Sequence, residues 1–242
     1  MIDGLLVALG FLTRIPVPGD VFARPGAQAR SLAWYPLVGV LLGCVLGVIA
    51  WALQTSPPWL AAALLVSAWA WLTGGLHLDG LADSADAWAG GMGDRERTLA
   101  IMKDPRSGPA GVVALVLLLL LKFAALASVP APAWLPLLLA PLLARAALTA
   151  AFLGTPYVRA QGLGAPLADA PRVAGMFALL ATCALVIVAG RAAMLAMLVA
   201  IGVFWGWRRA CLRRLGGMTG DTCGALAEVI EVAVLITLAL QG

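Results

Sequence analysis

The sequence predicts an all-α, polytopic membrane bundle of about seven transmembrane helices, with a short N-terminal helix that lies in the interface or re-enters. Three observations predict it. Hydrophobic residues make up 62% of the 242 and charged residues 12%, about half the charged share of a soluble domain. No single water-soluble core absorbs that much apolar surface, whereas a bilayer does. The apolar runs, such as 112–121, are rich in Leu, Val and Ala without alternation, which fits helices and excludes barrel strands. Lipid also requires each backbone polar group to be satisfied within its own segment, which a helix does. Lastly, the cations gather in loops that alternate along the chain.

The elements follow in order. Residues 1–13 are apolar but stop at Arg14-Ile15-Pro16-Val17-Pro18, too short to cross. Spans are expected at 32–53, 59–77, 108–128, 134–153, 173–189, 192–207 and 222–241, the sixth being the shortest. The breaks are Pro57-Pro58, the polar stretch 78–107, Pro130 and Pro132, the loop 154–172, Gly190-Arg191 and the segment 208–221. The whole of 1–242 reads as one transmembrane catalytic domain. Asp3 and the lack of a cleavable signal pattern suggest that the N-terminus is retained.

Orientation follows from Lys and Arg. Loop 14–31 holds Arg14, Arg24 and Arg30; stretch 78–107 holds Arg95, Arg97, Lys103 and Arg106. Loop 154–172 holds Arg159 and Arg172, and segment 208–221 holds Arg208, Arg209, Arg213 and Arg214. All these fall on one side, Arg191 alone on the other, which predicts a cytoplasmic charged side. Lys122 and Arg145 lie inside spans. The Arg tetrad abuts an apolar run, so a juxtamembrane anchor is expected and no nucleic-acid patch. Cys44, Cys183, Cys211 and Cys223 form no CxxC pair and read as reduced small apolar residues.

Six of the twelve acids fall between Asp79 and Asp104. Asp79, Asp83 and Asp86 are spaced i, i+4, i+7, on one face of a helix. Gly and Ala surround them, with no Lys at i+4, so the three repel unless a divalent cation neutralises them. All-oxygen ligands suit Mg²⁺, Mn²⁺ or Ca²⁺ rather than zinc; a solvated acidic face is the alternative. His77, the only histidine, is open as a general base, a donor to substrate or a polar cap of a span. Lys103 and Arg106 flank Asp104 just before a span. Both suit phosphate oxygens, and a helix starting near Ser107 offers free N–H groups to an anion; an ordinary basic flank is the other reading. Near the C-terminus, Thr219-Gly220-Asp221 is followed by Glu228 and Glu231 in an otherwise apolar helix. Ionisable groups there are costly and usually functional. Asp221 is expected on the same side as Asp79. Acids from two helices around one or two metals suit phosphoryl transfer.

These segments carry a resemblance. Gly74–Asp86, Met102–Gly111 and Gly216–Glu228, with Phe11–Pro18 near the start, resemble the cobalamin synthase, or adenosylcobinamide-GDP ribazoletransferase, family. The likeness runs in order from near residue 5 to near 240, and Pro156-Tyr157 with Arg159 and Gly162 fits a further family feature. The resemblance implies a Mg²⁺-dependent inner-membrane transferase. It would join adenosylcobinamide-GDP to α-ribazole or its 5′-phosphate, release GMP, and yield adenosylcobalamin or its phosphate, a late step of nucleotide-loop assembly. Membrane lipid would surround it; a homo-oligomer and contact with other corrinoid-pathway enzymes stay open.

On that reading Asp79, Asp83, Asp86 and Asp221, helped by Asp104 or Glu228, would hold the metal. Lys103, Arg106 and Ser107, with Arg14, Tyr157, Arg159 and Arg145, would face substrate. His77 or one of the aspartates would take the proton, a carboxylate being favoured. Arg145 is expected to reach the site from below and to matter more than Lys122, for which snorkelling to the far interface is the alternative. A transporter using Lys122 and Arg145, and a CDP-alcohol phosphotransferase sharing the acidic style, are the rivals.

Overall fold

The computed structural model describes residues 2–131, 133–159 and 162–241. Among them are eleven α-helices: α1 (Ile2–Leu12), α2 (Ala27–Ser31), α3 (Tyr35–Ala52), α4 (Pro58–Leu72), α5 (Leu76–Gly90), α6 (Arg95–Ile101), α7 (Pro109–Ser128), α8 (Trp134–Gly154), α9 (Arg172–Ala189), α10 (Arg191–Leu215) and α11 (Gly220–Ala239). Six apolar stretches are long enough to cross a bilayer: 27–52, which contains α3, and α7 to α11. The bent pair α4 and α5 passes the same test only when taken together, as a broken span or a re-entrant loop. The fold is the all-α polytopic bundle that the composition demands.

Burial ranks the helices. Within the spanning windows of α8 and α11, 72% of residues are buried, against 17% in α9 and α10, so the former pair forms the centre and the latter faces lipid. In α3, Gly39, Gly43 and Gly47 lie on one face against the backbone of Pro141, the backbone of Leu137 and Leu138, and the Trp134 ring of α8. A Cβ at any of these positions would collide. Small residues at four-residue spacing let two helix backbones approach in lipid, where no hydrophobic effect drives them together.

Two spans depart from expectation. The stretch 59–77 is not one helix. The α4 helix stops at Leu72, and Gly74 and Gly75 take left-handed φ values of 66° and 71°, conformations that glycine adopts without steric cost. The chain turns by 89° into α5. Span 192–207, expected to be the shortest, belongs to a 25-residue helix. The arginines from 208 onward, read as a loop, continue it to Leu215, where left-handed Gly216 caps it. Arg208 donates to the Gly154 carbonyl, and the Arg214 guanidinium lies 4.9 Å from the Trp88 ring centroid. A charged residue ends the apolar signal without ending the helix.

The polar stretch 78–107 is largely helical. The α5 helix lies across the charged-side ends of three spans. Asp86 meets the start of α7, Trp88 stacks on Trp207 of α10, and Gly80 abuts the backbone of Asp221 at the start of α11. Thr219 and Thr222 cap α11 reciprocally, which fixes Asp221 in its first turn.

Candidate active site

The α5 and α11 helices cross closely because both carry glycine at the contact. Gly80 faces the Asp221 backbone, and Gly224 faces the backbone of His77. This crossing brings Asp79, Asp83 and Asp221 into one acidic group at the charged side of the bundle. Burial, then the charges of Asp79 and Asp221, push the Asp83 carboxyl up to about 6. Arg159 comes from the loop after α8. That loop is held by a short parallel bridge in which Val158 N–H donates to the Met218 carbonyl and Met218 N–H to that of Pro156. Arg159 Nη1 lies 2.6 Å from Asp221 Oδ2. Its Nε and Nη2 are buried and have no hydrogen-bond partner among the described residues.

Asp79, Arg159 and Asp221, though not Asp83, line a cavity of about 300 Å³. His77, Asp79, Tyr157, Arg159 and Asp221 form its polar wall, and Phe11, Tyr35, Leu148, Phe152 and Leu163 its apolar wall. A pocket with one apolar side and a few convergent polar groups suits a substrate that is part planar ring and part charged. Nothing in the sequence marks the apolar wall, because its members come from four separate segments.

Beneath the cavity lies a buried charge cluster. Lys122 Nζ of α7 donates to Glu228 Oε2 at 2.7 Å and to Glu231 Oε2 at 2.5 Å. It also sits 4.7 Å from the Trp69 ring centroid. Arg145 Nη1 of α8 donates to Glu231 Oε1, and its Nη2 lies 3.3 Å from His77 Nδ1. Two cations and two carboxylates cancel, all under 5% exposed. Arg145 faces the interior as expected. Lys122 does not snorkel, because its ammonium finds two carboxylates nearer than the interface. With both cations paired, neither is free to mark an ion path, which weighs against a transporter. Glu231, absent from the expected site set, is the acid that links the two cations.

Other expected residues sit elsewhere. Glu228 belongs to the interior cluster rather than to the acidic group. Asp86 accepts from Gly108 N–H at 2.6 Å and Gly111 N–H at 2.9 Å. It therefore already holds the start of α7, where a free N–H site for a substrate anion was expected; a carboxylate meets the positive end of the helix dipole there. Asp104 and Arg106 bond each other on the exposed loop, at 2.9 and 2.7 Å. That pairing holds the Asp104 carboxyl down at about 2. Lys103 and Ser107 are exposed beside them, and none of these four lines the cavity. Arg14 is exposed and packs its side chain against Gly74 at the α4–α5 turn. Tyr157 lines the cavity, stacks on Phe152 and accepts from Gly164 N–H.

Whether the acids fit a divalent cation has a divided answer. The donors are all oxygens, and their mutual repulsion is what such a cation relieves. Yet among the described residues no three acid, histidine or cysteine side chains converge closely enough to hold one, and Arg159 already neutralises Asp221. The donor chemistry fits; these side-chain positions do not close a ligand shell.

The fold and site define a membrane-embedded bundle with a carboxylate and arginine centre at one face. The chain belongs to the family described as cobalamin-5-phosphate synthase, CobS, whose model matches residues 4–239. It is 56% identical to the adenosylcobinamide-GDP ribazoletransferase of Pseudomonas savastanoi pv. phaseolicola, over 97% of this chain and 98% of that one. The protein of that name from Stutzerimonas stutzeri is 54% identical over 98% of each chain, and that from Pseudomonas paraeruginosa 55% over 99% of this chain and 98% of the other. No solved structure matches.

Proposed function

We infer that this chain is the transferase its relatives are named for. It joins adenosylcobinamide-GDP to α-ribazole or its 5′-phosphate, releasing GMP. The observation that carries the reading is the full-length match falling on a chain whose acids from α5 and α11 meet Arg159 at one amphipathic cavity. Its charged face would lie in the cytoplasm, on an inner membrane, because thirteen of the sixteen Lys and Arg residues fall in segments of that side.

In the proposed reaction a ribazole hydroxyl attacks the phosphorus that stays on cobinamide. A new O–P bond forms, the bond to the GMP oxygen breaks, and GMP leaves with the electron pair. Arg159 turns its two unpartnered nitrogens to the diphosphate oxygens and neutralises charge as it builds. A carboxylate of the Asp79, Asp83 and Asp221 group takes the hydroxyl proton. The apolar wall takes the planar base. Asp79, Asp83 and Asp221 are the residues that would hold Mg²⁺. A bound Mg²⁺ would supply positive charge to the same diphosphate oxygens.

The test is GMP release by the purified chain. Release should need both adenosylcobinamide-GDP and ribazole, stop with EDTA and return with added Mg²⁺. Release that ignores EDTA would remove the metal from the scheme, and turnover of a CDP-alcohol substrate instead would overturn the assignment.

A further inference from the structure

The interior cluster settles how His77 meets the cavity. The Arg145 guanidinium carries five N–H donors, has no acceptor and stays protonated. Its Nη2 lies 3.3 Å from His77 Nδ1. Were Nδ1 protonated, two donors would face each other in a site where His77 is 4% and Arg145 0% exposed, and such a buried mismatch is disfavoured. Nδ1 is therefore the acceptor, and the single ring proton sits on Nε2.

We propose that His77 serves the cavity as a neutral hydrogen-bond donor through Nε2–H, locked in that tautomer by Arg145, and not as the base that takes the hydroxyl proton. The lock has further members. Glu231 Oε1 accepts from Arg145 Nη1, while Lys122 holds Glu231 through Oε2. The guanidinium cannot swing away from His77 without giving up its bond to Glu231 Oε1. Gly224 of α11 packs against the His77 backbone, which fixes where the residue sits. Arg145, Glu231 and Lys122 are thus positioning residues that act through His77. In the cavity, beside Asp79, Arg159 and Asp221, a donor-only N–H suits a phosphate or ester oxygen that gains charge as the P–O bond breaks. The inference rests on the reading of the cavity as the site of that transfer, and it leaves the proton to a carboxylate.

His77 is the only histidine, so its ring nitrogens can be read without assignment. The full chain is prepared with ¹⁵N-histidine in lipid nanodiscs, and long-range ¹⁵N–¹H spectra are recorded near neutral pH without substrate. Nδ1 is expected as an unprotonated, pyridine-type nitrogen and Nε2 as a protonated one. A ring protonated at Nδ1, or at both nitrogens, overturns the proposal whatever the reaction proves to be. Arg145→Met should yield a mixture of tautomers, and an unchanged spectrum would remove Arg145 as the lock. Should that variant not accumulate, the parent spectrum decides. In the activity arm, His77→Gln carries an amide N–H toward the Nε2 position and should keep kcat/KM within about tenfold of the parent, while His77→Ala should lose about 10²-fold, the scale of one transition-state donor. Equal losses in both would overturn the donor role. No GMP release by the parent, together with the Nε2–H spectrum, would instead fault the assigned reaction.

Discussion

Replacing Lys122 with methionine keeps most of the side chain's length and removes its charge. The perturbation strands the Glu228 and Glu231 carboxylates, both under 3% exposed, with Arg145 as the one remaining cation. Two strong hydrogen bonds, at 2.7 and 2.5 Å, disappear. Removing one partner of a buried ion pair costs roughly 3–5 kcal/mol, because the other charge stays buried without compensation. For a chain of this size about 2–4 °C of melting temperature goes with each kcal/mol, so Lys122→Met should melt about 6–20 °C below the parent. The cluster's neutrality supplies the control. Lys122→Met with Glu228→Met removes one cation and one anion and leaves the Arg145–Glu231 pair intact. The double variant should recover at least about half the loss, since a buried pair replaced by apolar residues is often near neutral. The assay is thermal unfolding in detergent, followed by tryptophan fluorescence and by loss of monodisperse protein on gel filtration. A single variant as stable as the parent would refute the buried bridge. A double variant no more stable than the single would refute the charge-balance argument, even if the bridge exists.

The acidic group and the topology lead to further expectations. Asp83→Asn should lower turnover at least about 10²-fold, and near-normal turnover would remove Asp83 from the centre. The same variant should melt higher than the metal-free parent at pH 7. A carboxyl raised to about 6 in the fold from 3.8 destabilises the folded state once both pH values are passed, so the gain should shrink at pH 5, where the folded parent is itself protonated. Arg159→Gln should lower kcat/KM for the nucleotide-bearing substrate by about 10- to 100-fold; an unchanged value would remove Arg159 from the diphosphate. In a chain freed of its four cysteines, single cysteines at Gly93 and Ala168 should react with an impermeant thiol reagent from the cytoplasmic side and one at Ser56 from the opposite side. Labelling of Gly93 from outside would invert the orientation.

The passages through the bilayer were legible because hydropathy and the Lys and Arg distribution act along the chain. The two departures came where local signals mislead. Gly74-Gly75 ends a helix inside an apolar run, and Arg208 starts a charged run inside a helix. The meeting of Asp79 and Asp83 with Asp221 was legible from side counting, because both motifs had to emerge on one face. Asp86 was not separable from its neighbours: its i+7 spacing puts it on their face, while its use as a brace for α7 depends on Gly108 and Gly111 arriving from elsewhere. Lys122 and Arg145 were visible as intramembrane cations, and Glu228 and Glu231 as intramembrane acids. Matching the two sets by charge would have paired them, but spacing alone cannot say which partner each cation takes.

The neutral cluster beneath the cavity also bears on how the protein is made. Its two cations enter the bilayer with α7 and α8, while both carboxylates arrive on α11, more than eighty residues after Arg145. Until α11 is threaded in, the membrane holds two uncompensated cations, each costing roughly 2.5–3.5 kcal/mol on insertion scales. Arrival of Glu228 and Glu231 removes that penalty in one event and draws three helices together. A chain interrupted before residue 228 would carry both cations without the carboxylates that hide them.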